Sequence, residues 1–177
     1  MPFQHCLGND MNDSFGEIAE VYTQKALLQL QRMVVKRANK PLHTVMMTIA
    51  PKVNGKVDFS SKKVINLEEE HLAELCQALM GLKHRVQING NRKDGGFAKA
   101  LYINLNQDET VNVIFSMYSQ NSESMGKDSL GITFSPAHRY KLLTIAVSQL
   151  TLNSVGYKQT MSETLSLLKA SAFKAYR

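Results

Sequence analysis

The residues of this chain best suited to chemistry are rings, amides, hydroxyls and lysines set two apart. In FAKALYINL and TVNVIFSMY, strand alternation sends Leu101, Ile103 and Leu105, then Val111, Val113, Phe115 and Met117, to a core face. The opposite phases carry Ala98, Ala100, Tyr102 and Asn104, then Asn112, Ile114, Ser116 and Tyr118. The first half offers a comparable outward set: Thr23, Lys25 and Gln29 in VYTQKALLQL, Thr44, Met46 and Thr48 in HTVMMTIA, and Asp58, Ser60 and Lys62 in DFSSKKVIN read as one strand. Carboxylates are nearly absent from these faces. A surface that accepts a phosphate backbone and bases excludes acids and presents hydroxyls, amides and flat rings, each stacked base contributing about 1–3 kcal/mol. The competing reading is an ordinary solvated strand face, because Thr and Tyr favour strands by propensity alone.

The elements that would hold these groups follow from the periodicity. VYTQKALLQLQRMVV reads as one strand, HTVMMTIA as a second, and KVDFSSKKVINL as a third or a broken pair, with NKP and PKVNG as turns. At LEEEHLAELCQALMGL the spacing changes to that of a helix, with Leu72, Leu75, Leu79 and Leu82 as its stripe and Gly81 as its terminator. Strands return at HRVQI, FAKALYINL, TVNVIFSMY and SLGITF. A second helix follows in SPAHRYKLLTIAVSQLTL, capped at Ser135, with Tyr140, Leu143, Val147 and Leu150 expected on its apolar side. A third spans SETLSLLKASAFKAY, with Leu165, Leu168 and Ala172 on one side. This order predicts an α+β fold: two antiparallel sheets from a duplicated strands-then-helix unit, braced by helices. Residues 1–18 read as a mobile arm, 19–157 as the main domain and 158–177 as a C-terminal amphipathic helix.

Composition narrows the partners. The 177 residues are 44% hydrophobic, enough for one domain with its own core. Lys and Arg number 21 against 15 acids, giving a net charge of +6 and a pI near 9.3, which favours a polyanionic partner. The first 24 residues hold four acids and no Lys or Arg, so positive charge begins where the strands begin. Cys6 and Cys76 lie far apart without a metal-binding spacing, which fits a reduced interior with neither a disulfide framework nor zinc. The chain has no apolar run of membrane length and no basic leader, so no membrane partner and a cytoplasmic location are expected.

Enzyme chemistry finds little support. Glu70 and Glu74 share a helix face, but surface carboxylates four apart are ordinarily solvated, and the five histidines are scattered. No cofactor, metal site or catalytic residue is expected. The basic loop NGNRKDGG, with Arg92 and Lys93, could reach phosphates as a clamp, although it lacks the pattern of a P-loop. Of the adjacent Lys62 and Lys63 only one can face outward on a strand, and Lys62 is favoured; Phe59 beside them fits packing as well as stacking.

VYTQKALLQL resembles the signature region of the Whirly single-stranded-DNA-binding proteins, in which a Val-Tyr pair precedes a KGKAAL-type motif. Thr23 and Gln24 stand where Lys and Gly are usual, whereas Lys25, Ala26 and Leu27 keep the pattern. TVMMTIAP, VDFSSKKVINLEEEHLAEL, FAKALYINL, TVNVIFSMY and LGITFSPAHRYKLLTIAVSQL follow the family's order of elements over residues 20–157. The resemblance implies a homotetramer that holds single-stranded DNA along its sheets with little sequence preference, in replication, repair, recombination or plasmid transfer. An RNA-binding or annealing protein of the same fold, as in the kinetoplastid mitochondrial RNA-annealing proteins, is the alternative. A non-catalytic interaction scaffold is the rival from another class. The residues expected to touch nucleic acid are Lys25, Gln29, Phe59, Lys62, Arg92, Lys93, Tyr102, Asn104, Ser116 and Tyr118.

Overall fold

The stretch expected to form one strand over residues 21–35 folds as parts of two. In the computed structural model, which describes residues 15–37, 40–90, 98–118, 128–154 and 159–173, β1 (Phe15–Tyr22) turns at Thr23 into β2 (Ala26–Arg37). The Thr23 hydroxyl donates to the Ala26 carbonyl at 3.0 Å and accepts from its N–H at 3.1 Å, closing the turn without Gly or Pro. β1 therefore starts inside the segment assigned to the arm, and residues 1–14 lie outside the described residues.

β3 (Lys40–Val53) follows, with a two-residue β4 (Lys56–Val57) folded back on its end through a turn in which Asn54 and Gly55 take positive φ. DFSSKKVIN is not one strand. Asp58 caps a single 3-10 turn (Phe59–Ser61), accepting from the Ser60 N–H at 2.9 Å and the Ser61 hydroxyl at 2.7 Å, and β5 starts only at Lys63 and ends at Leu67. Asp58, Ser60 and Lys62 consequently share no strand phase. Those hydroxyl and amide donors, with the Ser60 side chain first among them, hold the Asp58 carboxyl below its ordinary range.

The first sheet runs β1-β2-β3-β5, all antiparallel. The second contains β6 (Arg85–Gly90), β7 (Ala98–Leu105), β8 (Val111–Tyr118) and β9 (Asp128–Phe134) as an antiparallel meander. Three helices complete the chain: α1 (Glu69–Leu79), α2 (Pro136–Asn153) and α3 (Met161–Phe173). The two-sheet α+β architecture read from the sequence is the one observed.

The inward rows meet in one core. Val21, Leu28 and Ile49 align across the first sheet, as do Ala19, Leu30, Met47 and Ile65. Val86, Ile103, Val113 and Ile132 align across the second. α1 adds Leu72, Leu75 and Leu79, and α3 seats Leu168 and Ala172. Burial of these side chains at roughly 1.5–3 kcal/mol each is the main force holding helices to sheets.

The second helix keeps most of its expected stripe, with Val147 buried and Leu143 and Leu150 packed against the core, but not its first member. Tyr140 is 77% exposed, while Leu142, Ala146 and Gln149 turn inward. Arg139, the neighbour of Tyr140, faces α1: its Nε and Nη2 both donate to the Leu79 carbonyl at 2.9 and 2.8 Å. Beyond Leu79 the chain leaves α1 through Gly81 at φ 77°, with Gly81 N–H donating to Ala78 and Leu82 N–H to Gln77.

Two lysines fasten sheet to sheet. Lys63, 7% exposed and on the inward phase, pairs with Asp128 of β9. Lys99 donates across to the Val64 carbonyl at 3.2 Å.

Candidate nucleic-acid interface

The outward phase of the second sheet forms ordered cross-strand rows. One reads Arg85, Asn104, Asn112, Thr133, and the next Gln87, Tyr102, Ile114, Gly131. Partners in such rows lie about 4.5–5.5 Å apart and act as a unit. Arg85, Gln87 and Thr133 are exposed; Tyr102, Asn104 and Asn112 are half-buried, leaving edges open to a ligand. All of these except Thr133 line a depression of about 660 Å³ at this end of the sheet. Neither row contains a carboxylate, so a guanidinium, amides and a phenol ring lie together; the acids nearest in the chain, Asp108 and Glu109, are exposed in the turn between β7 and β8.

Farther along, the same face closes. In the row Asn89, Ala100, Ser116, Ser129, both central residues are buried, and the Ser116 hydroxyl has no hydrogen-bond partner among the described residues. Ser116 thus has the outward phase expected of it but no exposure. Tyr118 occupies a register position opposite Ala98, and its side chain lies outside the described residues, as do Arg92 and Lys93.

The first sheet's outward face has a different character, and β1 is the reason. Glu20, Gln29, Thr48 and Val64 form one row and Tyr22, Leu27 and Ala50 another. Gln29, half-buried, donates to Glu20 Oε1 at 3.4 Å, and the Tyr22 hydroxyl donates to Glu20 Oε2 at 3.0 Å. The carboxylate-poor expectation therefore fails here, because β1 adds an acid that reading residues 21–35 as a single strand had left out. The hydrogen bond to Glu20 raises the Tyr22 phenol above its usual range. Lys52 Nζ stands 5.4 Å from the Tyr22 ring centre, a cation over a π face.

Lys25 is exposed in the turn rather than on a strand face, because the Thr23 hydroxyl ends β1 before it. Phe59 is 52% exposed on the 3-10 turn, and Lys62 is exposed immediately after it. The structure thus joins Tyr102 and Asn104 in one open site and leaves Gln29 on the other sheet, with Lys25, Phe59 and Lys62 in the turns beside that sheet. Arg85, Gln87, Asn112, Tyr22 and Lys52 belong with these groups although sequence reasoning did not select them. For the first two the signal was available: HRVQI alternates, placing Arg85 and Gln87 opposite the core residues Val86 and Ile88.

Among the described residues, no group of three or more His, Cys, Asp or Glu converges as a metal site, and no helix is long and apolar enough to cross a membrane.

No family model matches the chain, and neither does any curated protein. Solved structures do. The plant transcriptional regulator PBF-2 superposes with a TM-score of 0.63 at 16% identity, covering 77% of this chain and 81% of its own. WHY3 from Arabidopsis thaliana gives 0.62 at 18% identity, covering 80% and 95%. The trypanosome MRP1/MRP2 structure gives 0.51 at 12% identity, covering 81% and 87%. With so little identity the shared property is the course of the chain, two antiparallel sheets on a helical brace: this protein has the Whirly fold.

Proposed function

We propose that this protein is a non-catalytic binder of single-stranded nucleic acid, DNA before RNA, and that the open end of the second sheet is its principal contact. The observation that carries this reading is the pair of carboxylate-free rows that set Tyr102 beside Arg85, Asn104 and Asn112. A half-buried ring on a sheet can stack a base of any sequence, amides can bond base edges, and Arg85 supplies a phosphate contact. Support comes also from the fold shared with WHY3 and with MRP1/MRP2, and from the sequence resemblance to single-stranded-DNA-binding proteins. The net charge of +6 favours the same partner.

The finer features of the proposal are a homotetramer working in the cytoplasm on strands exposed during replication, repair, recombination or plasmid transfer. An RNA-binding role of the same site is the second reading, since stacking and phosphate contacts do not separate the two polymers.

The test is a titration of labelled single-stranded DNA, RNA and duplex of about 30 nucleotides at two salt concentrations, with solution mass measured alongside. Single-stranded DNA is expected to bind best, and Tyr102→Ala to weaken it by about 1–3 kcal/mol without changing the salt slope. Equal binding of duplex, or an unaffected Tyr102 variant, refutes the site; a strong preference for RNA moves the function to the second reading.

A further inference from the structure

We infer that β6 pairs edge to edge with β6 of a second copy of this chain, joining two second sheets into one continuous nucleic-acid face; this rests on the nucleic-acid reading above and adds the copy that completes its site. The observation behind it is an open row of backbone groups beside the depression. The His84 carbonyl accepts from the Leu105 N–H at 2.8 Å, which makes residues 84 and 105 a hydrogen-bonded pair of the β6–β7 ladder. Antiparallel pairing alternates, so Val86 and Ile88 bond to β7, while the N–H and C=O of Arg85, Gln87 and Asn89 point off the sheet. β6 ends the sheet, and among the described residues no group bonds to them.

The edges of the first sheet are guarded. On β1 the Glu20 carbonyl accepts from Lys141 at 3.0 Å and the register slips between Phe15 and Ile18; on β5 the Val64 carbonyl accepts from Lys99. β6 has no proline, an unbroken register and a single charge, Arg85, at its first position. Such an edge is a template for another strand.

The strand is complementary to itself. A dyad at Gln87 sets Gln87 opposite its own copy, Arg85 opposite Asn89 and Val86 opposite Ile88, and in that register every outward N–H meets an outward C=O. The buried Val86 and Ile88 stay on the inner side, and the exposed Arg85, Gln87 and Asn89 on the outer. Pairing centred on Arg85 would set two guanidinium groups face to face, and pairing centred on Asn89 would run past the end of β6 at Gly90. The second copy also finishes the site. Arg85 and Gln87 wall the depression on its β6 side with no strand beyond them, and the copy brings its own Gln87 and Asn89 amides against that wall. The Tyr102 row then runs on through both Gln87 side chains, with the two rings three strand spacings apart, about 14 Å. One nucleic-acid strand can pass from ring to ring without leaving the face, and the dyad uses up both β6 edges, so this pairing closes at two copies.

The experiment uses the full chain in a Cys6→Ser background, where Cys76 is buried. Gln87→Cys, Arg85→Cys and Asn89→Cys are each oxidised mildly and resolved without reductant. At the dyad, position 87 lies about 5.5 Å from its copy, within disulfide reach, whereas positions 85 and 89 lie about 14 Å from theirs. Gln87→Cys is expected to form a covalent dimer about tenfold faster than either neighbour, and Arg85→Cys mixed with Asn89→Cys to cross-link one to the other. No cross-link at 87, or equal cross-linking at all three positions, overturns the pairing; this readout needs no nucleic acid, so it fails separately from the function. The disulfide dimer is then titrated with oligothymidylate about 30 nucleotides long. One strand per two chains is expected, and one strand per chain overturns the joined face. A cross-linked dimer that binds no strand overturns the joined face together with the function on which it rests.

Discussion

Replacing Arg85 with Gln should leave a signature in salt. Arg85 sits exposed at the start of β6, an edge strand, its register partner is Asn104, and among the described residues it forms no ion pair. It can therefore neutralise one phosphate without first breaking a protein contact. For single strands each such contact adds about 0.7 to the slope of log affinity against log salt. Removing one contact should lower that slope by about 0.7, which at roughly 0.1 M salt is about a fivefold loss and near 1 M is none. The two lines should converge as salt rises. Gln preserves the alternation with Val86 and Ile88, so folding stability should change by less than about 0.5 kcal/mol. The assay is anisotropy of a labelled oligothymidylate at four or five salt concentrations, with a denaturation curve for each protein. Parallel lines, a constant ratio at every salt concentration, would show that Arg85 acts through geometry or merely guards a sheet edge. Identical lines would remove it from the interface.

Two further outcomes test the frame that carries these faces. Gly81→Ala should cost about 1–2 kcal/mol in urea denaturation, because φ is 77° and the added Cβ would meet Arg139 Nη2 at 3.1 Å; an unchanged midpoint would refute that account of how α1 ends. Cys76 is fully buried, and burial pushes its thiol up to about 12 from 9.0, so in a Cys6→Ser background it should resist thiol reagents at pH 8 until the chain unfolds. The native state holds that proton more tightly than the unfolded chain does, so the linked stability is intact below about pH 9 and drains away as pH rises towards about 12. Rapid labelling of the folded protein at pH 8 would contradict the burial.

What could be read from the sequence was set by how strongly side-chain period constrains each segment. Leu101, Ile103, Val113 and Phe115 alternate without interruption, so the second sheet's two faces, and the outward phase of Tyr102 and Asn104, followed directly. The first sheet was less legible because its punctuation comes from side-chain hydrogen bonds. The Thr23 hydroxyl ends β1, and the Asp58 carboxylate winds residues 59–61 into a 3-10 turn, although neither site shows the Gly or Pro breaks that sequence reasoning seeks. Hence Lys25 and Lys62 left the strand faces on which they had been counted, and Glu20 entered one. On α2, Leu143, Val147 and Leu150 lie on the core side as the spacing placed them, and Tyr140 alone turns out, beside an Arg139 held by a bidentate bond to the Leu79 carbonyl.

The two outward faces differ for a reason built into the core between them. Both sheets give their inner rows to the same cluster, and Lys63 with Asp128 and Lys99 with the Val64 carbonyl tie one sheet to the other at its rim. Sheets joined through their inner faces present their outer faces in diverging directions. One extended nucleic-acid strand cannot lie flat on both faces of a single chain; to touch both it must pass round an edge or run from one copy to the next. The second sheet's open rows carry a ring, amides and Arg85 and no acid, whereas the first sheet sets Tyr22 and Lys52 beside Glu20. Under the proposed function, contact without base preference therefore falls to the second sheet, whose open rows lack an acid, and not to the face that holds Glu20.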